Sequence, residues 1–207
     1  MVETFVRVGN TTYRIAHSAA ADALIDEEDF ARDERLPYWA ELWPSAVALA
    51  CYLSRENLRG RRAIELGCGV GLPSVAALDY GARVTSTDHY QAALDFTRYN
   101  AHASLGREPQ VQLLDWHTPE TQDLGLFDLV FAADVLYESR NVSALAALIP
   151  TLLTPEGEVL LADPRRKHAP TFLERMRESG FRFSTEEHEV PSGERKVTVL
   201  VHRLWWC

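Results

Sequence analysis

The sequence predicts an α/β fold built on a mostly parallel sheet with helices on both faces. Three observations lead there. After Gly60, short apolar runs alternate with helix-like ones, a rhythm that lays strands in parallel under crossover helices. The first of those runs feeds into a glycine-rich turn, "LGCGVGLP", at the place where open sheets carry their ligands. The chain closes on two strand-like runs with no helix between them, which implies an antiparallel hairpin at the sheet edge.

Each element has its own grounds. "TFVRVGNTTYRIAH" holds two β-branched and aromatic runs around Gly9-Asn10, a hairpin. "SAAADALIDEEDFARDE" reads as a polar-faced helix ending before Pro37. A second helix starts around Pro44-Ser45 and carries "AVALACYL" at helical spacing. "RAIEL" is a short apolar strand, "LPSVAALDYG" a helix closed by Gly81, and "ARVTSTD" the next strand. "QAALDFTRYNAHASLG" is a helix stopped by Gly106, "VQLL" a strand, and "FDLVFAAD" a strand with the look of a buried one. "SRNVSALAALIPTLLT" is helical, with Pro150 as a kink or an end. "GEVLLAD", the helix "APTFLERMRESG", and the strands "FRFSTEEHEV" and "ERKVTVLVHRLWW" complete the chain.

Composition narrows the function. The 207 residues suit one domain with a small appendage, and 46% hydrophobic residues can fill a core. No run of about eighteen apolar residues exists to span a membrane, and "MVETFVRVGNTTYRI" lacks the apolar core of a secretory signal. Three scattered cysteines, Cys51, Cys68 and Cys207, fit a reducing cytoplasm better than a disulfide scaffold. No cysteine and histidine pair has zinc-ligand spacing, so no metal is expected. The net charge of -9 repels phosphates, so no nucleic-acid partner is expected. "DPRRK" at 163–167 is the one compact basic run, and a solvated loop accounts for it.

The turn "IELGCGVGLP", residues 64–73, carries the first chemical signal. Gly67, Gly69 and Gly71 let the backbone turn tightly and bring its N–H groups near a ligand. A dinucleotide fingerprint needs G-x-G-x-x-G, whereas this turn reads G-x-G-x-G with Leu72 where the third glycine would stand. Glu65 would repel a pyrophosphate and suits a ligand with an ammonium group. Asp88 closes the second strand, where a ribose-binding acid belongs, and could equally cap the helix beginning near Tyr90. Together these features favour S-adenosylmethionine over NAD.

The ordered motifs "IELGCGVGLPS", "STD", "LLDW" and "ADVLYE" resemble those of the seven-strand (class I) S-adenosylmethionine-dependent methyltransferases. "PYWAELWPS" with "DVLY" is similar to the branch that holds protein-lysine methyltransferases and nicotinamide N-methyltransferase-like proteins. The resemblance covers the chain from about residue 36 onward. It implies a Rossmann-like seven-stranded, mostly parallel sheet with an antiparallel C-terminal strand. It also implies a methyltransferase domain over 37–207, with residues 1–36 a hairpin and helix extension. Glu65, Gly67, Gly69 and Gly71 would hold the methionine end of S-adenosylmethionine, and Asp88 the ribose hydroxyls. Asp115 and Trp116 would flank the adenine, though core burial explains Trp116 as well. Asp134 and Tyr137 would stand at the substrate end of the fourth parallel strand.

The aromatic stretch "LPYWAELWPSAVALA" then acquires a use: Trp43 would cover the cofactor pocket, and Trp39 or Tyr38 would shape the substrate entrance. Cation–π attraction of a sulfonium to such rings is worth about 0.5 to 2 kcal/mol. The alternative is apolar burial against the N-terminal hairpin. Asp134 is better cast as an acceptor that orients the substrate than as the source of a depressed lysine pKa, since a carboxylate raises that pKa. It could instead cap a loop, and Tyr137 could pack under the following helix. Arg165 could meet an acidic substrate, although a surface role is the simpler reading. His89, His102, His117 and His168 have no partner assignable from sequence. The leading expectation is protein-lysine N-methylation. The alternatives are a small-molecule N-methyltransferase and a non-catalytic S-adenosylmethionine-binding module.

Overall fold

The computed structural model describes residues 1–18, 38–121, 124–193 and 195–207. The helix expected over 18–34 lies outside the described residues, apart from its first residue. Two strands, β1 (Val2–Val8) and β2 (Thr11–His17), form a hairpin whose Gly9-Asn10 turn has Gly9 at φ 57. A positive φ at the tip matches the turn to the strand twist. Among the described residues the hairpin pairs with no other strand and makes a two-stranded sheet of its own.

A one-turn 3-10 segment, Tyr38–Ala40, precedes helix α1 (Pro44–Leu53), which starts on a proline whose missing N–H costs nothing there. Then come β3 (Arg62–Leu66), α2 (Leu72–Asp79), β4 (Arg83–Asp88), α3 (Gln91–Leu105) and β5 (Gln110–Leu113). The second half holds β6 (Phe127–Ala133), α4 (Ser139–Leu152), β7 (Leu153–Asp163), α5 (Ala169–Glu178), β8 (Phe181–Ser192) and β9 (Arg195–Trp206).

The seven-stranded sheet has the order β5-β4-β3-β6-β7-β9-β8. Strands β3 to β7 pair in parallel, and β9 inserts antiparallel between β7 and β8. The chain moves outward from β3 on one side and then returns to its other side at β6. Ligands of open sheets bind at this reversal, at the carboxyl ends of the strands. Alternate residues serve opposite faces. Leu129, Phe131, Leu160 and Ala162 join the core under α1, α2, α3 and the hairpin. Val130, Ala132, Val159 and Leu161 join the core under α4 and α5.

Two boundaries differ from the sequence reading. Helix α4 runs through Pro150 to Leu152, because a proline in the last turn forfeits only the bond to the Ala146 carbonyl. Strand β7 then begins at Leu153, four residues before the expected Gly157, through a register irregularity opposite Phe127–Leu129. Pro155, which lies between the expected helix and the expected strand, sits inside that bulge together with Gly157. A Cβ on Gly157 would lie 3.0 Å from the Phe127 carbonyl oxygen.

The hairpin is docked by polar groups as well as by Val6, Val8, Tyr13 and Ile15. Asn100, fully buried on α3, accepts from the Ala16 N–H at 2.7 Å and donates to the carbonyls of Ala16 (2.9 Å) and Val70 (2.8 Å). One side chain thus ties the hairpin to the glycine turn. The Tyr13 hydroxyl donates to Asp79 at 2.8 Å, and the Ser18 N–H donates to the Ala40 carbonyl at 2.8 Å.

Candidate active site

A cleft of about 420 Å³ opens at the carboxyl ends of β3, β4 and β6, within the size range of small-molecule sites. Trp43, Glu65, Gly67, Gly69, Gly71, Asp88, Asp115, Trp116, Asp134 and Tyr137, expected from sequence to hold cofactor or substrate, all line it, as do Tyr38 and Trp39 but not Arg165.

The glycine turn between β3 and α2 is held from several sides. The Gly67 and Cys68 N–H groups donate to the Thr87 carbonyl, each at 2.9 Å, and the Gly69 N–H donates to the Asp88 carboxylate at 3.0 Å. From α3, Thr97 donates to the Gly69 carbonyl at 3.1 Å. Side chains are excluded by close approach. A Cβ on Gly67 would lie 2.9 Å from the Trp116 ring, and one on Gly71 2.5 Å from Thr97 Oγ1. Gly71 also caps α2 at φ 82, a left-handed conformation that favours glycine.

Two acids stand behind the turn. Burial pushes the Glu65 carboxyl well above the usual carboxylate range, against the lowering effect of its bonds to Ser74. Ser74 donates to that carboxyl and lies 2.5 Å from the Ser86 hydroxyl. Glu65 therefore reaches the cleft wall with its head group already engaged, a partnership nothing in the sequence signalled. Asp88 receives the Gly69 N–H on one oxygen and the Tyr90 N–H, at 3.1 Å, on the other. Burial raises its pKa too, opposed by these backbone bonds. The Tyr90 bond makes a local turn and does not cap α3, whose first flanking residue is Tyr90 itself. The His89 N–H acts on the same carboxylate, and the acceptor capacity left over is available to a ligand.

Beyond β5, Asp115 accepts from the His117 N–H at 2.9 Å and sits 3.6 Å from His89 Nδ1. His89 and His117 line the cleft although neither was placed in the site from sequence. The position of His89, directly after Asp88, was the available signal. Trp116 packs against the α4 and α5 core and over Gly67, so it meets both the cleft and the core. Its buried indole N–H has no partner among the described residues.

The aromatic segment wraps over the turn. Trp43 donates to the Tyr38 carbonyl at 2.7 Å. The Tyr38 ring meets Trp43 edge-on at 6.1 Å and Tyr137 edge-on at 5.6 Å. Tyr38 and Tyr137 are exposed, which makes this cluster the rim of the cleft. Trp39 packs edge-on against Phe96 of α3 at 5.6 Å and lies 6.3 Å from Tyr90. Both tryptophans line the cleft, and Trp39 gains its burial from α3.

Arg166 also lines the cleft without having been placed there from sequence. Its Nε and Nη2 donate to the two Asp134 oxygens at 2.8 and 3.0 Å, a bidentate pair. Its own N–H donates to Asp163 at 2.9 Å. Arg165 takes φ 65 and turns outward to Glu187 at 2.9 Å, a surface pair. Asp134 has φ 57, and its N–H is fixed on the Ala162 carbonyl at 2.8 Å, so its carboxylate is aimed by the backbone.

Asp163 is 1% exposed, and burial raises its pKa from the ordinary 3.8 to about 6, with the neighbouring Asp134 charge adding to the rise. The native state therefore holds this proton more tightly than the unfolded chain. Stability falls as pH climbs from the ordinary value through about 6, and the penalty then stays constant. Asp163→Asn is expected to be more stable than the parent by about 1 to 3 kcal/mol at neutral pH. The advantage should shrink below pH about 6 and vanish near the unperturbed carboxylate value. Urea unfolding of both proteins across that range checks the sign. Glu65 and Asp88 shift in the same direction, so the parent's slope is shared and only the difference belongs to Asp163.

The lysine methyltransferase family model matches residues 30–179. The chain belongs to the lysine methyltransferase family. Within it, the chain is 35% identical over 162 residues to protein N-lysine methyltransferase METTL21A of Danio rerio, covering 74% of this chain and 72% of that one. It is 31% identical over 175 residues to EEF1A lysine methyltransferase 3 of Mus musculus, covering 82% and 73%. It is also 28% identical over 153 residues to histone-arginine methyltransferase METTL23 of Rattus norvegicus, covering 71% and 68%. Among solved structures, magnesium protoporphyrin IX methyltransferase of Synechocystis, with bound S-adenosylmethionine, superposes with a TM-score of 0.60 at 18% identity, over 78% of each chain. That likeness shows the fold. This lysine methyltransferase family member is an S-adenosylmethionine-dependent methyltransferase with the Rossmann-like seven-stranded fold.

Proposed function

We propose that this protein methylates the side-chain amine of a lysine in a protein substrate, with the acceptor docked on Asp134. The observation that carries the reading is the bidentate Asp134–Arg166 pair in the same cleft as the glycine turn, in a chain of the lysine methyltransferase family. S-adenosylmethionine, when bound, supplies an electrophilic methyl on a sulfonium.

The cleft suits that group. The turn around Gly67, Gly69 and Gly71 offers close backbone approach, and Trp116 leaves a buried N–H unpartnered among the described residues. Gly67, Gly69 and Gly71 would hold the methionine end, with Glu65 steadying the turn through Ser74. Asp88 would receive the ribose hydroxyls, and Asp115 and Trp116 would flank the adenine. Trp43, Tyr38 and Tyr137 would close the rim, exclude water and hold the acceptor in line. A lysine starts protonated, and freeing its amine at pH 7 costs about 4.6 kcal/mol. Asp134 orients that amine.

Residues 37–207 form the methyltransferase domain in this reading, with 1–36 an appended element. The separate two-stranded sheet of the hairpin supports the division. A cytoplasmic setting is supported by three cysteines that are all unpaired. An arginine acceptor is the second reading, favoured by the likeness to METTL23.

The test is transfer of labelled methyl from S-adenosylmethionine into a methylation-depleted lysate, followed by acid hydrolysis of the labelled protein. Methyllysine is the expected product. Methylarginine would shift the reading to the second acceptor, and label confined to small molecules would overturn both.

A further inference from the structure

We propose that Arg166 is a positioning residue that neutralises and orients Asp134, so that the acceptor amine docks on the carboxylate without being held in its protonated form. The inference rests on the lysine reading above and addresses a difficulty inside it. A lone carboxylate within about 4 to 6 Å of a lysine favours the ammonium, by about one to three pKa units. Methyl transfer needs the opposite, a free lone pair on nitrogen. An Asp134 that both binds and protonates its substrate would work against the reaction.

The geometry removes that conflict. Arg166 covers both oxygens with a fixed fork, at 2.8 and 3.0 Å, and a guanidinium keeps its charge at every working pH. The pair is formally neutral, yet each oxygen retains a lone pair to accept an N–H from an uncharged amine. Arg166 is itself held from behind, through its N–H on the buried Asp163. The path of the chain does the aiming. Arg165 turns out at φ 65 to Glu187, and Arg166 comes back into the cleft.

The other charged and titratable groups facing this position do not replace Arg166. From the aromatic segment come Tyr38 and Glu41, and from the loop after β6 and the start of α4 come Tyr137, Glu138 and Arg140. Glu138 and Arg140 are bonded to each other. Asp163, behind Arg166, adds negative charge. Without the guanidinium, the acceptor would meet uncompensated Asp134 and Asp163.

The experiment compares the parent with Arg166→Gln and Arg166→Lys. It measures the rate of labelled methyl transfer from S-adenosylmethionine into the protein fraction of a methylation-depleted lysate, from neutral to strongly alkaline pH. Calorimetric binding of S-adenosylmethionine to each variant reports that the fold and the cofactor cleft are intact. The glutamine variant should show its profile moved alkaline by about one to three pH units. Its rate should be at least about tenfold lower at neutral pH and should recover as pH rises. The lysine variant, which keeps the charge but not the fork, should hold the parent's profile midpoint at a reduced rate. An unshifted profile, a loss that no pH restores, or a faster glutamine variant at neutral pH would overturn the proposal. The last result would make Arg166 a competitor for the acceptor's place. If the parent itself labels no protein at any pH, the lysine reading falls first and takes this inference with it.

Discussion

Asp134→Ala is expected to lower the rate of methyl transfer by about a hundred- to a thousandfold while S-adenosylmethionine affinity changes by no more than about threefold. The two effects separate because Asp134 lies at the end of β6, whereas the glycine turn is held by Thr87, Asp88, Thr97 and Asn100. Truncation removes the acceptor for the substrate amine and both Arg166 bonds at once. The fold should survive, because Arg166 is 38% exposed and can turn its freed guanidinium to water. Asp134→Asn keeps the shape and one oxygen acceptor, so its loss should be smaller. Rates of labelled transfer, with calorimetric cofactor binding beside them, check both halves. A parallel fall in cofactor affinity would show Asp134 acting on the cofactor cleft.

Gly71→Ala should be the more damaging change for the molecule as a whole. The residue sits at φ 82, where any Cβ is strained by about 1 to 2 kcal/mol. The new atom would also lie 2.5 Å from Thr97 Oγ1 and 2.8 Å from Thr97 Cβ and Cγ2. Thr97 is fully buried and bonded to Gly69, so it cannot yield without moving α3 or the turn. Overpacking of that kind costs about 1 to 3 kcal/mol. A combined loss of about 2 to 5 kcal/mol is expected in urea unfolding, with cofactor affinity down by at least about a hundredfold. A stable variant that binds S-adenosylmethionine normally would mean that the turn adapts and that its backbone path does not set affinity.

The parts of this molecule that could be read from its sequence are those where local chemistry leaves few options. Glycines three times in five positions, between an apolar strand and an apolar helix, impose a left-handed turn. Acids at the ends of strands, Asp88 and Asp134, mark the crevice because strand ends converge there. Arg166 was out of reach for a specific reason: "PRR" holds two adjacent arginines, and only the φ of Arg165 decides which one enters the cleft. Asn100 was equally hidden, since its partners are backbone groups at Ala16 and Val70 and carry no side-chain signature. Glu65 was found, but its engagement with Ser74 depends on α2 packing back over β3. Trp39 and Trp43 could be read two ways because an aromatic ring covers a pocket and fills a core by the same burial. Strand β7 starts before its expected first residue, Gly157, because a bulge opposite Phe127–Leu129 carries Pro155 into the strand.

The most direct test of the account is a crystal structure of the complex with S-adenosylhomocysteine. The ribose hydroxyls should bond Asp88, the homocysteine end should follow the turn from Gly67 to Gly71, and the sulfur should face the Asp134–Arg166 pair. A ligand seated with its sulfur turned away from Asp134, or bound outside this cleft, would contradict it.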